Sequence, residues 1–231
     1  MNVPELLSAQ KISGGYGDTI IVRGISMSLA GGDVLCVTGR NGVGKSTLLK
    51  LIAGVLQQSD GVIKLAGTEL RGPAFVRQRQ GLGYMPQVGV VFDNLSVQEN
   101  LTLQYKGRSL KRYEALFASF PRMAERLTQK AGTLSGGEKK ILSFCRVIAE
   151  TNKLAILDEP SEGVQPENIA LMAEHILAEK KNGRSFIVAE QNTTLIEQIH
   201  DHVLIMDHGE VMYEFSCDKN IREIINKHIS L

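Results

Sequence analysis

Gly39-Arg40-Asn41-Gly42-Val43-Gly44-Lys45-Ser46 fits the spacing G-x-x-x-x-G-K-[ST] at every fixed position. The apolar run before it, Val34-Leu35-Cys36-Val37, predicts a buried strand; Thr47-Leu48-Leu49-Lys50-Leu51-Ile52-Ala53 after it predicts a helix. Strand, glycine-rich turn and helix, in that order, form the context in which such a loop holds phosphate. Gly39, Gly42 and Gly44 let the backbone take positive φ and come close to a phosphate chain. Successive N–H groups then point inward, with the positive end of the next helix behind them. Lys45 adds a cation for the β- and γ-phosphates, and the Ser46 hydroxyl suits Mg²⁺. Gly39 to Thr47, with Arg40, Asn41 and Val43 inside the loop, is therefore the predicted nucleotide-binding stretch. An ordinary glycine-rich turn before a helix explains neither the eight-residue pattern nor both flanks.

The 231 residues are 43% hydrophobic and 22% charged, which suits a globular chain with a full core. Net charge is +1, so no long-range field favours nucleic acid, and none is expected as a partner. No apolar run approaches the roughly 18–20 residues of a membrane span. The segment from Met1 to Gln10 lacks the basic-then-apolar order of a signal peptide. Cys36, Cys145 and Cys217 are widely spaced; the first two sit in apolar runs and read as small core residues. With no metal-ligand spacing among them, a reducing compartment is expected. The close pair His200 and His202 reads as surface rather than as a metal site.

Along the chain, Ser8–Ser13, Thr19–Val22 and Ile25–Leu29 predict strands joined by glycine-rich turns. A turn at Ser59-Asp60-Gly61 is expected before the strand Val62–Leu65, and a strand over Leu82–Met85 ends at Pro86. Helical periodicity with many charges runs from Ser96 to Lys130. After Gly132 the pattern alternates: helix 138–150, strand Leu154–Leu157, helix 167–181, strand Phe186–Val188, helix 193–199, strand Val203–Met206. The segment Cys217–Leu231 predicts one short closing helix. Strands alternating with helices imply a mostly parallel sheet covered on both faces.

Two further stretches carry chemistry. Leu154-Ala155-Ile156-Leu157-Asp158-Glu159 is an apolar strand ending in two carboxylates. Asp158, at the strand tip beside a phosphate loop, is placed to hold hydrated Mg²⁺. Glu159 is expected to face the other way along the pleat, where it can polarise a water for attack on the γ-phosphate. Leu134-Ser135-Gly136-Gly137-Glu138 opens a helix, with Ser135 able to cap or donate and two glycines exposing N–H groups. One ATP does not need two such cradles from one chain, so the second is expected to serve a nucleotide held elsewhere.

Together these motifs resemble the ATP-binding-cassette (ABC) ATPases over nearly the whole chain. Leu134-Ser135-Gly136-Gly137, between the phosphate loop and the Asp158-Glu159 strand, is similar to that family's signature. The resemblance implies an α/β phosphate-loop cassette over residues 1–231, with a mixed sheet core, an antiparallel β subdomain and a helical insertion at 88–131. It implies ATP hydrolysis with Mg²⁺, and two cassettes paired head to tail. Ser135, Gly136 and Gly137 of one chain would then close on the γ-phosphate held by Lys45 of the other. Tyr16 resembles the aromatic that stacks on adenine. Gln87 resembles the glutamine that reaches Mg²⁺ and the attacking water, Asp158 the Mg²⁺-associated aspartate and Glu159 the catalytic base. Implied partners are a second cassette, membrane permease subunits and, indirectly, a solute-binding protein. The implied location is peripheral, on the cytoplasmic face of the inner membrane.

Two positions depart from the common family pattern. The switch position, usually His, holds Gln191, which donates hydrogen bonds but does not titrate near neutral pH. The aspartate of the loop after Glu159 is replaced by Gln165. Glu162-Gly163-Val164-Gln165-Pro166 and Glu190-Gln191-Asn192 resemble the cassettes of branched-chain amino acid and urea or short-chain amide uptake systems. So does Gln129-Lys130-Ala131-Gly132-Thr133. Exporter cassettes, and ABC proteins of DNA repair or the ribosome, are the competing readings. Repair members carry long coiled coils and ribosomal members fuse two cassettes, neither of which appears here. A monomeric phosphate-loop kinase would leave Leu134–Glu138 without a purpose.

Overall fold

A computed structural model describes residues 4–216 and 220–229. In chain order it begins with strands β1 (Glu5–Tyr16), β2 (Thr19–Ala30) and β3 (Val34–Thr38), then helix α1 (Lys45–Ala53). Strands β4 (Gln58–Leu65) and β5 (Thr68–Glu69), helix α2 (Ala74–Arg79) and strand β6 (Leu82–Met85) follow. Next come short helices α3 (Val97–Thr102), α4 (Glu114–Ser119) and α5 (Pro121–Glu125). The second half comprises α6 (Gly136–Ile148), β7 (Leu154–Asp158), α7 (Pro166–Lys181), β8 (Ser185–Ala189), α8 (Thr193–Ile199), β9 (His202–Asp207), β10 (Glu210–Ser216) and α9 (Ile221–Ile229).

The described strands form two sheets. One is antiparallel, in the order β2-β1-β4-β5; the other has the order β10-β9-β3-β8-β7-β6. In the second, β9, β3, β8, β7 and β6 are parallel and only the edge pairing of β10 to β9 is antiparallel. The expected α/β fold with a mixed sheet and a separate antiparallel sheet is therefore observed. Its central strands are buried end to end, as apolar runs covered by layers on both faces should be. Period-two alternation sorts their side chains into two cores. Val34, Cys36, Ala155, Leu157, Phe186 and Val188 join α6 and α7 on one face. Leu35, Val37, Leu154, Ile156 and Ile187 join α1, β1 and β2 on the other.

Several boundaries differ from the sequence reading. The two strands expected at Thr19–Val22 and Ile25–Leu29 are one strand, because Gly24 (φ +59) sits in a bulge rather than a turn. Its N–H donates to Ser13 Oγ at 2.9 Å. Ser59-Asp60-Gly61 is likewise no turn but part of β4, opposite an irregularity in β1 at Lys11 (φ +52). Helix α6 starts two residues earlier than expected, because Ser135 and Glu138 complete a capping box. Elements β5, α2 and β10 have no counterpart in the sequence reading. Cys36 and Cys145 are fully buried, and burial pushes both thiols well above the usual range. Cys217 lies outside the described residues, as do the first three and the last two residues of the expected closing helix. His200 and His202 are half-buried rather than exposed; His202 meets Asp33 at 3.3 Å. Among the described residues no helix is long and apolar enough to cross a membrane.

Parallel pairing is what builds a site. Strands β3, β8, β7 and β6 lie side by side and run the same way. Their C-terminal ends therefore share one edge, the usual place for a ligand crevice in such sheets. The loops leaving that edge carry Gly39–Gly44, Gln191, Glu159 and Gln87 respectively.

Candidate nucleotide site

Gly44 caps α1 with φ +109, a conformation a side chain rarely adopts, and so turns the loop onto the helix N-terminus. Lys45 is 4% exposed, and its Nζ donates to the carbonyls of Gly39 (2.9 Å) and Arg40 (3.0 Å). Burial lowers its pKa from the usual lysine value, opposed by the charges of Glu159, Asp158 and Glu190. Ser46 Oγ donates to Asp158 Oδ1 at 2.8 Å. Burial raises the Asp158 carboxyl above the usual range; the Ser46 hydrogen bond opposes that and the Glu159 charge adds to it.

Glu159 lies at the centre. Its Oε1 is 3.8 Å from Lys45 Nζ and accepts from Gln191 Nε2 at 3.1 Å, while Oε2 accepts from Gln87 Nε2 at 2.7 Å. Gln191 also donates to Asn41 Oδ1 at 2.5 Å, joining the switch loop to the phosphate loop. Lys45, Ser46, Gln87, Asp158, Glu159 and Gln191 therefore come together from distant parts of the sequence. The expectation that Asp158 and Glu159 face opposite ways does not hold. Glu159 has left the strand with φ +48, so pleat alternation no longer applies and both carboxylates face the loop. Such a backbone costs roughly 1 to 3 kcal/mol in a residue other than glycine, held here by surrounding contacts.

Other predicted residues lie elsewhere. Ser135 caps α6: its Oγ accepts from Glu138 N at 3.3 Å, and Ser135 N donates to Glu138 Oε2 at 3.0 Å. With Gly136 and Gly137 it lines a cavity of about 680 Å³ shared with Phe120–Met123 and Glu162–Gln165, and no residue of Gly39–Thr47 lines it. Tyr16 is 49% exposed at the end of β1, and its hydroxyl accepts from Lys50 Nζ at 3.1 Å. Gln165 is the N-cap residue of α7 but makes no side-chain cap.

A family model described as ABC transporter matches residues 22–162. The chain belongs to the ABC transporter family. It is 32% identical to the Pseudomonas aeruginosa "High-affinity branched-chain amino acid transport ATP-binding protein BraG", over 90% of this chain and 91% of that protein. It is 30% identical to the Archaeoglobus fulgidus "Probable branched-chain amino acid transport ATP-binding protein LivF", over 93% of each. Against a "Nod factor export ATP-binding protein I" of Burkholderia orbicola it is 30% identical over 86% of this chain and 67% of that one. A crystal structure of a nucleotide-free ATP-binding cassette from an ABC transporter superposes with a TM-score of 0.83 at 24% identity, covering 98% of each chain.

This ABC cassette also uses residues that the sequence reading passed over. Glu190 is 3% exposed, and its carboxylate accepts from the N–H groups of Gln191 (2.7 Å), Asn192 (2.9 Å) and Ser161 (3.2 Å). It thereby ties the switch loop to the loop after Glu159. The signal was available: an acid directly after an apolar strand, the same pattern that marked Asp158 and Glu159. The Tyr84 hydroxyl lies 3.5 Å from Asp158 Oδ2, a weak contact. Nothing local in the sequence marked it, since the pairing of β6 beside β7 brings it there.

Proposed function

We propose that this chain is the ATP-hydrolysing subunit of an ABC importer, with Glu159 as the general base. The observation that carries the reading is the meeting of Lys45, Gln87 and Gln191 on the Glu159 carboxylate beside Ser46 and Asp158. Gly39, Arg40, Asn41, Gly42, Val43, Gly44 and Thr47 surround the phosphates through the loop and the helix start. On ATP binding the Lys45 ammonium exchanges loop carbonyls for β- and γ-phosphate oxygens. A hydroxyl and a buried carboxylate 2.8 Å apart are hard oxygen donors fit for Mg²⁺, so Ser46 and Asp158 would hold it, with Gln87 at its edge. Bound Mg²⁺ would neutralise charge developing on the transferred phosphoryl group. Glu159 takes the proton of the attacking water, and Gln191 and Gln87 hold the base in place. Tyr16 is assigned to adenine stacking.

Ser135, Gly136 and Gly137 are assigned to a nucleotide bound by a second cassette, which makes the working unit a dimer closed by ATP. Residues 88–131 are the helical insertion within a single ATPase domain. Val88 (75% exposed) and Phe92 (51%) provide apolar surface there for permease subunits. On this reading the cassette sits on the cytoplasmic face of the membrane, held by its partners. The names of the relatives favour branched-chain amino acids as solute, while Glu162-Gly163-Val164-Gln165-Pro166 favours urea or a short-chain amide. An exporter subunit is the second reading, supported by the Nod factor export relative.

Glu159→Gln should trap an ATP-bound dimer on gel filtration and lower turnover by about 10²-fold or more. Hydrolysis at the parent rate would remove Glu159 from the role of base. Uptake of labelled leucine and urea in source cells lacking this chain, complemented by the parent or by Lys45→Ala, separates the solutes. No change in either would favour the exporter.

A further inference from the structure

Glu159 is held through its main chain as well as its carboxylate. Its carbonyl oxygen accepts a hydrogen bond from Lys140 Nζ at 2.9 Å. Lys140 is 7% exposed, and its ammonium also lies 3.5 Å from the Glu162 carboxylate. It stands on α6, the helix whose first residues after the Ser135 cap are Gly136 and Gly137. A Cβ on Gly137 would come within 2.6 Å of the Gly163 carbonyl, so the first turn of α6 touches the loop after Glu159 backbone to backbone. That loop is short and irregular, and its first residue has left-handed φ. A buried cation on the Glu159 carbonyl fixes the peptide plane that aims the side chain, and a buried ammonium needs the acceptor as much as the loop needs the donor.

We propose that Lys140 is a positioning residue: through the Glu159 carbonyl it sets the aim of the Glu159 carboxylate and ties it to the helix that begins at Ser135. A shift of α6 when its N-terminus meets a nucleotide is then transmitted to Glu159 within the same chain. One cradle thereby adjusts the base that serves the other. This rests on the reading of Glu159 as general base.

The test is single-turnover hydrolysis of Mg-ATP by the purified full chain. Lys140→Met keeps the length and removes the donor; it should slow the step by about 10- to 100-fold while ATP half-saturation moves by less than about two-fold. Lys140→Arg, which restores a cationic donor, should recover most of the rate. Should Lys140→Met not fold, Lys140→Gln, polar but too short to reach the carbonyl, should show the same loss. A rate within about two-fold of the parent for the neutral variants, or a loss confined to weaker ATP binding, overturns the proposal. Glu159→Gln is run in parallel. Full activity in that variant removes the base assignment itself, whereas its loss beside an active Lys140→Met rejects Lys140 alone.

Discussion

Asp158 and Gln191 show how single side chains set the pH behaviour of the site. Asp158 is fully buried, and its carboxyl is held above the usual range chiefly by that burial. Because the folded pKa is raised, protonation stabilises the fold. That contribution is complete below the ordinary carboxylate pKa of about 4 and is lost as pH rises through the raised value. Asp158→Asn should therefore raise the melting temperature of the nucleotide-free chain at neutral pH, yet abolish Mg²⁺-dependent hydrolysis. A lower melting temperature would show that the carboxylate stabilises the empty site. Gln191 carries no titrating proton. Gln191→His should add an inflection to the pH–rate profile near about pH 6.5 to 7.5, since the Glu159 carboxylate favours the imidazolium. An unchanged profile would place residue 191 away from the reacting phosphate.

Among helices, α1 and α6 are finished in the same way. Arg77 (4% exposed) donates from Nη1 to the carbonyls of Leu51 and Ile52, both at 2.8 Å, at the end of α1. Arg184 (5% exposed) donates to Val147 O at 2.7 Å and Ile148 O at 2.8 Å, at the end of α6. Each cation binds last-turn carbonyls at the negative end of the helix dipole. Burial lowers both guanidinium pKa values from their usual height, yet they remain charged at neutral pH. Arg77→Met or Arg184→Met should destabilise the chain by roughly 2 to 3 kcal/mol, read by urea unfolding. A change under about 0.5 kcal/mol would mean that water replaces the arginine. Helix and strand existence was legible because β3, β7, β8 and β9 are apolar runs bounded by turn residues. The bulge at Gly24 and the β1 irregularity opposite Gly61 were not, since glycine marks a turn and a bulged pairing alike and only strand pairing separates them.

At the scale of the molecule, the loop and the Asp158-Glu159 edge come together as the proposed nucleotide site, and the α6 N-terminus forms a second surface with different neighbours. Mg-ATP at about 100 times its Kd should stabilise the chain by about 2.7 kcal/mol, or a melting shift of about 5 to 10 °C for this length. Lys45→Ala should lose most of that shift, and an undiminished shift would place the nucleotide elsewhere.

The sequence by itself determined the α/β class, the phosphate loop, the two carboxylates and the family resemblance. Each depends on residue type at short fixed spacing, which local backbone geometry converts directly into a loop, cap or strand end. Tertiary structure decided that Gln87, Glu159 and Gln191 meet, that Glu159 leaves its pleat to face Lys45, and that Glu190 and Lys140 brace that arrangement. Those contacts span up to 150 residues, as between Asn41 and Gln191. They exist because parallel strands bring distant loops to one edge of a sheet, and short-range spacing carries no record of which strands become neighbours.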